Sequence, residues 1–330
     1  MQNGHYMTGD GNHHRMVEVD MMGNTIHNWD MLERGYTMHH AISQDKQGNI
    51  LATVSKTSAK IANGKDVRIN DFIIRMDPEK GEILQEWDLV NMLDSARYGM
   101  TDYNLTADPY AQNASNWAHN NGIVEWGNDY LATARYQGIF KFNKAGGIEW
   151  IISPHGYWRD RYLKLLLNPL HADGTPITDP DVIAGTKNCD DFEWPWGCHT
   201  AVPLPNGYIF YFNNGYGRNF KLDFTDRKNV YTCGIEYEVD EVNRTVRQVW
   251  QYGKERGTAY FTPARSGVQY LEQTGNRLIC PGMSNVLSNG NRGARVTEVD
   301  PETQEIVFEL ELEDAIYQRV YRMSLYPDNQ

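Results

Sequence analysis

Histidine and arginine recur at one point of a repeated sequence pattern, and these residues give the chain its capacity for chemistry. The stretches are Met38-His39-His40-Ala41-Ile42, Ala118-His119-Asn120-Asn121-Gly122-Ile123, Cys198-His199-Thr200-Ala201-Val202, Ala264-Arg265-Ser266-Gly267-Val268 and Tyr321-Arg322-Met323-Ser324-Leu325. A neutral imidazole serves as base or nucleophile near neutral pH, and a guanidinium fork suits the oxygens of sulfate, phosphate or carboxylate. Gathered on one axis in a chain of net charge −12, such groups favour an anion by focusing the field in a funnel. Trp194 and Trp196 stand just ahead of His199, and Asn213-Asn214-Gly215-Tyr216-Gly217-Arg218 adds a further cation. A base, a cation and aromatic walls suit an anionic, ring-bearing ligand. A lone histidine beside tryptophan is more often structural, so the recurrence carries the reading.

The elements that must position these residues are β-hairpins. Met16-Val17-Glu18-Val19-Asp20, Phe72-Ile73-Ile74-Arg75-Met76-Asp77, Gly138-Ile139-Phe140-Lys141-Phe142, Gly234 to Asp240 and Ala294 to Asp300 are alternating strands. Each passes through a polar turn to a second strand, closing on Trp29, Trp87, Trp150, Trp250 or Phe308. A second hairpin type alternates with the first, as in His40 to Val54, His119 to Arg135, His199 to Phe212 and Ser266 to Cys280. Two hairpins make a four-stranded meander, and meanders repeated about an axis make a β-propeller. The expected fold is all-β, a six-bladed propeller of which five modules are visible. Its ring would be closed by N- and C-terminal strands sharing a blade, the latter at residues 320–325. Residues 1–330 read as one domain, with 153–198 a long insertion or lid and a possible extra blade.

In this register the innermost strands line the channel. His40, His119 and His199 are therefore candidate catalytic residues, and Arg218, which follows the second strand of its module and could reach the same mouth, joins them through the resemblance given below. His39, Arg135, Arg265, Arg322, Trp117, Trp194, Trp196 and Tyr321 are candidate substrate contacts. Adjacent strand residues point to opposite faces, so the sequence leaves open which of His39 and His40 faces the funnel. Three histidines could hold a divalent metal, but no carboxylate shares their register and arginine opposes a cation; no metal and no cofactor is expected.

Composition excludes other classes. Lys and Arg number 31 against 43 Asp and Glu, the reverse of a nucleic-acid binder. There is no apolar run long enough to span a membrane. The first 20 residues lack an apolar signal core, which fits a cytoplasmic chain, or a periplasmic one whose leader has been removed. A homodimer is compatible with all of this. Four cysteines make no disulfide scaffold. Cys189 and Cys198 flank the Trp-Pro-Trp segment and read either as a bridge or as two thiols.

The chain resembles the bacterial arylsulfotransferases that need no nucleotide sulfate donor. The resemblance rests on Asn116-Trp117-Ala118-His119-Asn120-Asn121-Gly122-Ile123, Gly197-Cys198-His199-Thr200-Ala201, Asn213-Asn214-Gly215-Tyr216-Gly217-Arg218, and Glu236 to Asp240 running into Val249-Trp250-Gln251-Tyr252-Gly253-Lys254-Glu255-Arg256-Gly257. It covers most of residues 16–325, and the family's extra N-terminal β-domain has no counterpart. It implies a six-bladed propeller moving a sulfuryl group between phenols by way of a sulfated histidine. By position it implies that His119, His199 and Arg218 hold the transferring oxygens. It places the family's nucleophilic histidine at or near Asn285, and no histidine follows His199. An asparagine amide cannot carry the sulfuryl group. Arg265 stands where the family is expected to have an uncharged residue. The expected function is thus an arylsulfotransferase-like transferase acting on an anionic aromatic substrate. Two alternatives stay open: a lyase or hydrolase on a carboxylated substrate, and a non-catalytic propeller that only holds an anion.

Overall fold

Five turns of the repeat are built the same way. The side chains of Asp20, Asp77, Asn143, Asp240 and Asp300 each accept two backbone N–H groups from the residues that follow, over 2.8 to 3.2 Å. An Asx side chain that folds back on its own backbone fixes a tight turn, so these positions punctuate the chain into hairpins. In the computed structural model, residues 1, 3–10, 14–63, 66–97, 117–222, 224–284, 293–313 and 316–317 are described, with the backbone alone at 10, 57–63 and 66–70.

The hairpins assemble into five sheets, the blades of an all-β propeller. The first holds three described strands, β1 (Tyr6–Asp10), β2 (Arg15–Val19) and β3 (Thr25–Asp30). The second is β4 (Thr37–Gln44), β5 (Ile50–Asn63), β6 (Asp66–Met76) and β7 (Ile83–Asp88), followed by the short helix α1 (Leu89–Met92). The third is β8 (Asn120–Trp126), β9 (Asp129–Ala134), β10 (Gly138–Phe142) and β11 (Ile148–Ile152). Then come α2 (Asp160–Leu163), β12 (Asn168–Leu170) and α3 (Pro180–Ala184). The fourth blade is β13 (Ala201–Pro203), β14 (Ile209–Asn213), β15 (Cys233–Asp240) and β16 (Thr245–Tyr252), and the fifth is β17 (Ser266–Tyr270), β18 (Arg277–Pro281), β19 (Ala294–Val299) and β20 (Ile306–Leu312).

The expectation of six blades is corrected: the described residues form five. Residues 153–198 form no sheet of their own: β12 runs parallel to β16 and widens the fourth blade to five strands. The closing strand expected at 320–325 lies outside the described residues. Among the described residues no helix is long and apolar enough to cross a membrane.

Two further devices repeat with the blades. The last strand pair of every blade slips register once, at Glu18/Val19, Arg75/Met76, Lys141/Phe142, Glu236/Tyr237 and Glu298/Val299. Such a bulge bends the strand and increases its twist. The closing tryptophans then latch each blade to its successor. The Nε1–H of Trp87 donates to the Lys144 carbonyl at 3.0 Å, that of Trp150 to Glu241 at 2.8 Å, and that of Trp250 to the Pro301 carbonyl at 2.9 Å. Trp29 packs against Gly81, whose φ of +67° and close approach to the indole both require glycine. Each acceptor sits in the Asx turn of the next blade, so turn and latch form one unit. The apolar clusters lie between neighbouring blades, with Leu131, Ile139, Ile209 and Ile235 in one and Leu51, Ile73, Ile123 and Phe140 in another. Burying each such side chain contributes roughly 1.5–3 kcal/mol. None of the four cysteines is in a disulfide, so of the two readings Cys189 and Cys198 are thiols.

Candidate active site

The inner strands of three blades share a backbone irregularity at the histidine position. His40, His119 and Arg265 adopt φ of 47°, 54° and 60°, a left-handed conformation uncommon outside glycine. In two of these blades the ladder slips beside that residue, between Met38 and Ile42 and between Asn120 and Gly122. His40 is therefore the residue equivalent to His119. His199 reaches the same place one blade on, from a chain that turns left-handed at Gly197 (φ 62°). Its N–H donates to the Phe212 carbonyl at 3.1 Å, and the Asn121 side-chain amide donates to the Cys198 carbonyl at 2.9 Å, stitching the third blade to the fourth.

These strands bring four histidines together. Nε2 of His119 lies 3.1 Å from Nε2 of His40, and Nδ1 of His40 lies 3.1 Å from Nδ1 of His39. The His40 and His199 rings are 6.0 Å apart, centre to centre. His119 and His199 are buried, and His40 is exposed. A carboxylate closes the far end. Asp71, on β6 and 4% exposed, sits 3.6 Å from Nε2 of His39, an ion-pair distance longer than a hydrogen bond. It accepts from the Ser55 hydroxyl at 2.8 Å and from the Asn120 N–H at 3.1 Å. Burial alone would raise its pKa; His39, Ser55 and His119 outweigh that and hold it below the usual carboxylate value, so it is ionised.

One tautomer is fixed by geometry. The Asn214 Nδ2 donates to the Thr262 carbonyl at 2.8 Å, so its Oδ1 must face His199 Nδ1, 2.6 Å away. An amide oxygen only accepts, so His199 carries its proton on Nδ1 and its lone pair on Nε2. The Ser266 hydroxyl also donates to Asn214 Oδ1, at 3.3 Å.

The cations divide into two groups. Arg135 stacks on Tyr216 at 4.5 Å and donates to the Pro263 carbonyl at 2.9 Å. Its charge is felt at His119, which burial first, then Arg135, His39 and His199, push well below the ordinary imidazole value of 6.5 against the pull of Asp71. Arg265 is half-buried, and among the described residues its side chain has no ion pair. Arg218 differs. It is buried against Glu193 in a close ion pair, stacks on Tyr231 at 3.9 Å and donates to the Asn229 carbonyl at 3.1 Å. Its described contacts include none of the four histidines.

The tryptophans read from the sequence as aromatic walls are packed ones. Trp117, Trp194 and Trp196 are 0%, 3% and 5% exposed and lie in the core clusters. Trp194 donates to the Val182 carbonyl at 2.8 Å and holds α3 down, and Trp196 meets Phe220 edge-on. The candidates Asn285, Tyr321 and Arg322 lie outside the described residues. Asp71, Asn214, Thr262 and Ser266 escaped the sequence reading. A signal for Asp71 did exist: an acidic residue opening the run Phe72-Ile73-Ile74 sits on a strand that is otherwise core.

His119 gives a pH signature. The unfolded chain binds a proton on this ring below about pH 6.5, and the folded chain does not until far lower pH, so acidification favours unfolding by up to about 1.4 kcal/mol per pH unit. Denaturant titrations between about pH 6.5 and 5 should therefore show His119→Gln losing stability less steeply than the parent chain. Parallel curves would mean that His119 titrates normally in the fold.

A family model described as arylsulfotransferase (ASST) matches residues 1–322. The arylsulfate sulfotransferase AssT of Escherichia coli O6:H1 (strain CFT073) is 28% identical over 344 aligned residues, covering 95% of this chain and 57% of that protein. The arylsulfate sulfotransferase AssT of Lelliottia amnigena is 29% identical over 345, again covering 95% and 57%. The chain thus spans a little over half the length of these curated relatives. Among solved structures, a europium-containing methanol dehydrogenase overlaps 96% of this chain and 69% of its own, at a TM-score of 0.43 and 11% identity.

Proposed function

The chain belongs to the arylsulfotransferase family, and from that footing we propose that it moves a sulfuryl group from one phenol to another at the histidine cluster, with His199 as the residue that carries it. The observation supporting this is the hydrogen bond from His199 Nδ1 to Asn214, itself held by Thr262. It aims a lone pair from Nε2, the arrangement of an activated nucleophile oriented by a third group. In the first half-reaction the S–O bond to the donor phenol breaks as an S–N bond forms at Nε2, and the departing phenolate takes a proton from the His40–His119 pair. In the second, the S–N bond breaks as an S–O bond forms to the acceptor phenol, which returns its proton to that pair and leaves His199 Nε2 with its lone pair. Arg135 and Arg265 supply charge to the sulfuryl oxygens, where sulfuryl transfer, like phosphoryl transfer, needs it most. His119 stays neutral, so it hydrogen-bonds without adding a buried charge. Asp71, through His39, stabilises the protonated form of His40.

Incubation with 4-nitrophenyl sulfate and a phenol acceptor should release nitrophenol. Acid-free quenching and peptide mass analysis should find one added sulfuryl group on the peptide holding His199. Asp71→Asn should slow release while leaving that label in place, and should shift the pH profile. Absence of release, together with absence of label on every histidine peptide, would end the transfer reading. Label on His40 or His119 would move the nucleophile.

A further inference from the structure

The insertion carries a second cluster, far from the histidines in function and made of a different donor set. His171 lies in the turn after β12, and Cys189 and Asp191 lie on the chain leading out of α3. Nδ1 of His171 is 3.0 Å from Asp191 Oδ1, the Cys189 sulfur is 3.1 Å from the same oxygen, and all three donor atoms fall within 4.8 Å of one another. In a tetrahedral site with bonds of about 2.0–2.3 Å, neighbouring donors stand about 3.5 Å apart, so a cation fits here after shifts of less than about 1 Å.

Both arms are already fixed. The His171 turn is closed by its N–H to the Thr175 carbonyl at 2.8 Å, and the Ala172 carbonyl accepts from Arg247 of β16 at 2.9 Å. On the other arm, the N–H groups of Thr186 and Lys187 both bond the Asp181 carbonyl, and Asn188 bonds Asn229 at 2.6 Å. The Ala172 N–H reaches across to Asp191 Oδ2 at 2.9 Å and joins the two arms.

We propose that His171, Cys189 and Asp191 form a binding site for a zinc-like divalent cation. One sulfur, one imidazole and one carboxylate make the donor set of a borderline metal, with the fourth position left to water. Magnesium and calcium take oxygen donors and are poor fits. The bound cation staples the 170–176 turn to the segment that runs directly into Glu193, the partner of Arg218. Its effect is to hold that segment in place, and it takes no part in sulfuryl transfer.

Cobalt(II) is the probe, because a thiolate ligand gives it a near-ultraviolet charge-transfer band that imidazole does not. Cys198, Cys233 and Cys280 are 0% exposed, which leaves Cys189 as the accessible thiol. Titration of the full chain should give that band at one equivalent, with displacement by equimolar zinc. Cys189→Ser should abolish the band, and His171→Ala should weaken binding by at least about 10-fold, with circular dichroism of both variants unchanged. Three results would each overturn the site: no cobalt binding, a spectrum without the thiolate band, as cobalt on the histidine cluster would give, or a band that survives in Cys189→Ser.

Discussion

His199→Ala is expected to lower kcat for 4-nitrophenyl sulfate by about 10⁴-fold or more, the scale seen when a covalent nucleophile is removed. KM should change little, because Arg135 and Arg265 remain to bind the anion. The companion change Asn214→Ala leaves the imidazole in place but removes the acceptor that fixes its tautomer. It should cost less, about 10²-fold, and mostly in kcat. The order of the two effects matters more than either size. A His199→Ala chain that keeps turnover within tenfold of the parent would mean direct transfer between phenols, or another nucleophile. Equal losses in the two variants would mean that the hydrogen bond holds the strand and not the ring.

Glu193→Ala is expected to destabilise the chain by about 3–5 kcal/mol, because it strands the buried Arg218 guanidinium without its counter-charge. The loss includes the 2.6 Å bond that Tyr231 donates to the same carboxylate. Denaturant midpoints measure it. The double change Glu193→Ala with Arg218→Met removes both charges and should recover most of the stability, since apolar replacement of a buried pair is often neutral. That double variant also separates two roles for Arg218. If it folds and still transfers sulfuryl, Arg218 is structural; if it folds and is inactive, the guanidinium reaches the substrate. A single Glu193→Ala variant as stable as the parent would contradict the buried pair itself.

The hairpins were legible because their signals are local. An Asx residue, a turn and a closing tryptophan fall within about a dozen positions, and the structure uses all three. The gathering of His40, His119 and His199 was legible for a related reason: a repeat that places one strand on the axis places its counterparts there too. The choice between His39 and His40 was not legible, since it depends on a bulge and a positive φ that no residue type announces. Asp71 was missed because its partners come from β4, β5 and β8, which only the fold brings beside it. The pairing of Arg218 with Glu193, 5% exposed, was not legible, because burial and not spacing supplies that partner. The sixth blade failed because β12 found a parallel partner in β16, a pairing that hairpin signals cannot encode.

The tryptophan latches give the molecule a direction. The second, third and fourth blades each donate a hydrogen bond forward, from Trp87, Trp150 and Trp250 into the turn that follows. The ring therefore behaves as a row of nearest neighbours, its stability close to a sum of blade terms and junction terms. Damage at one latch is felt by the two blades it joins and fades beyond them. The fifth blade ends on Phe308, which has no indole N–H to offer and is 50% exposed. Among the described residues it therefore offers its successor no latch of this kind.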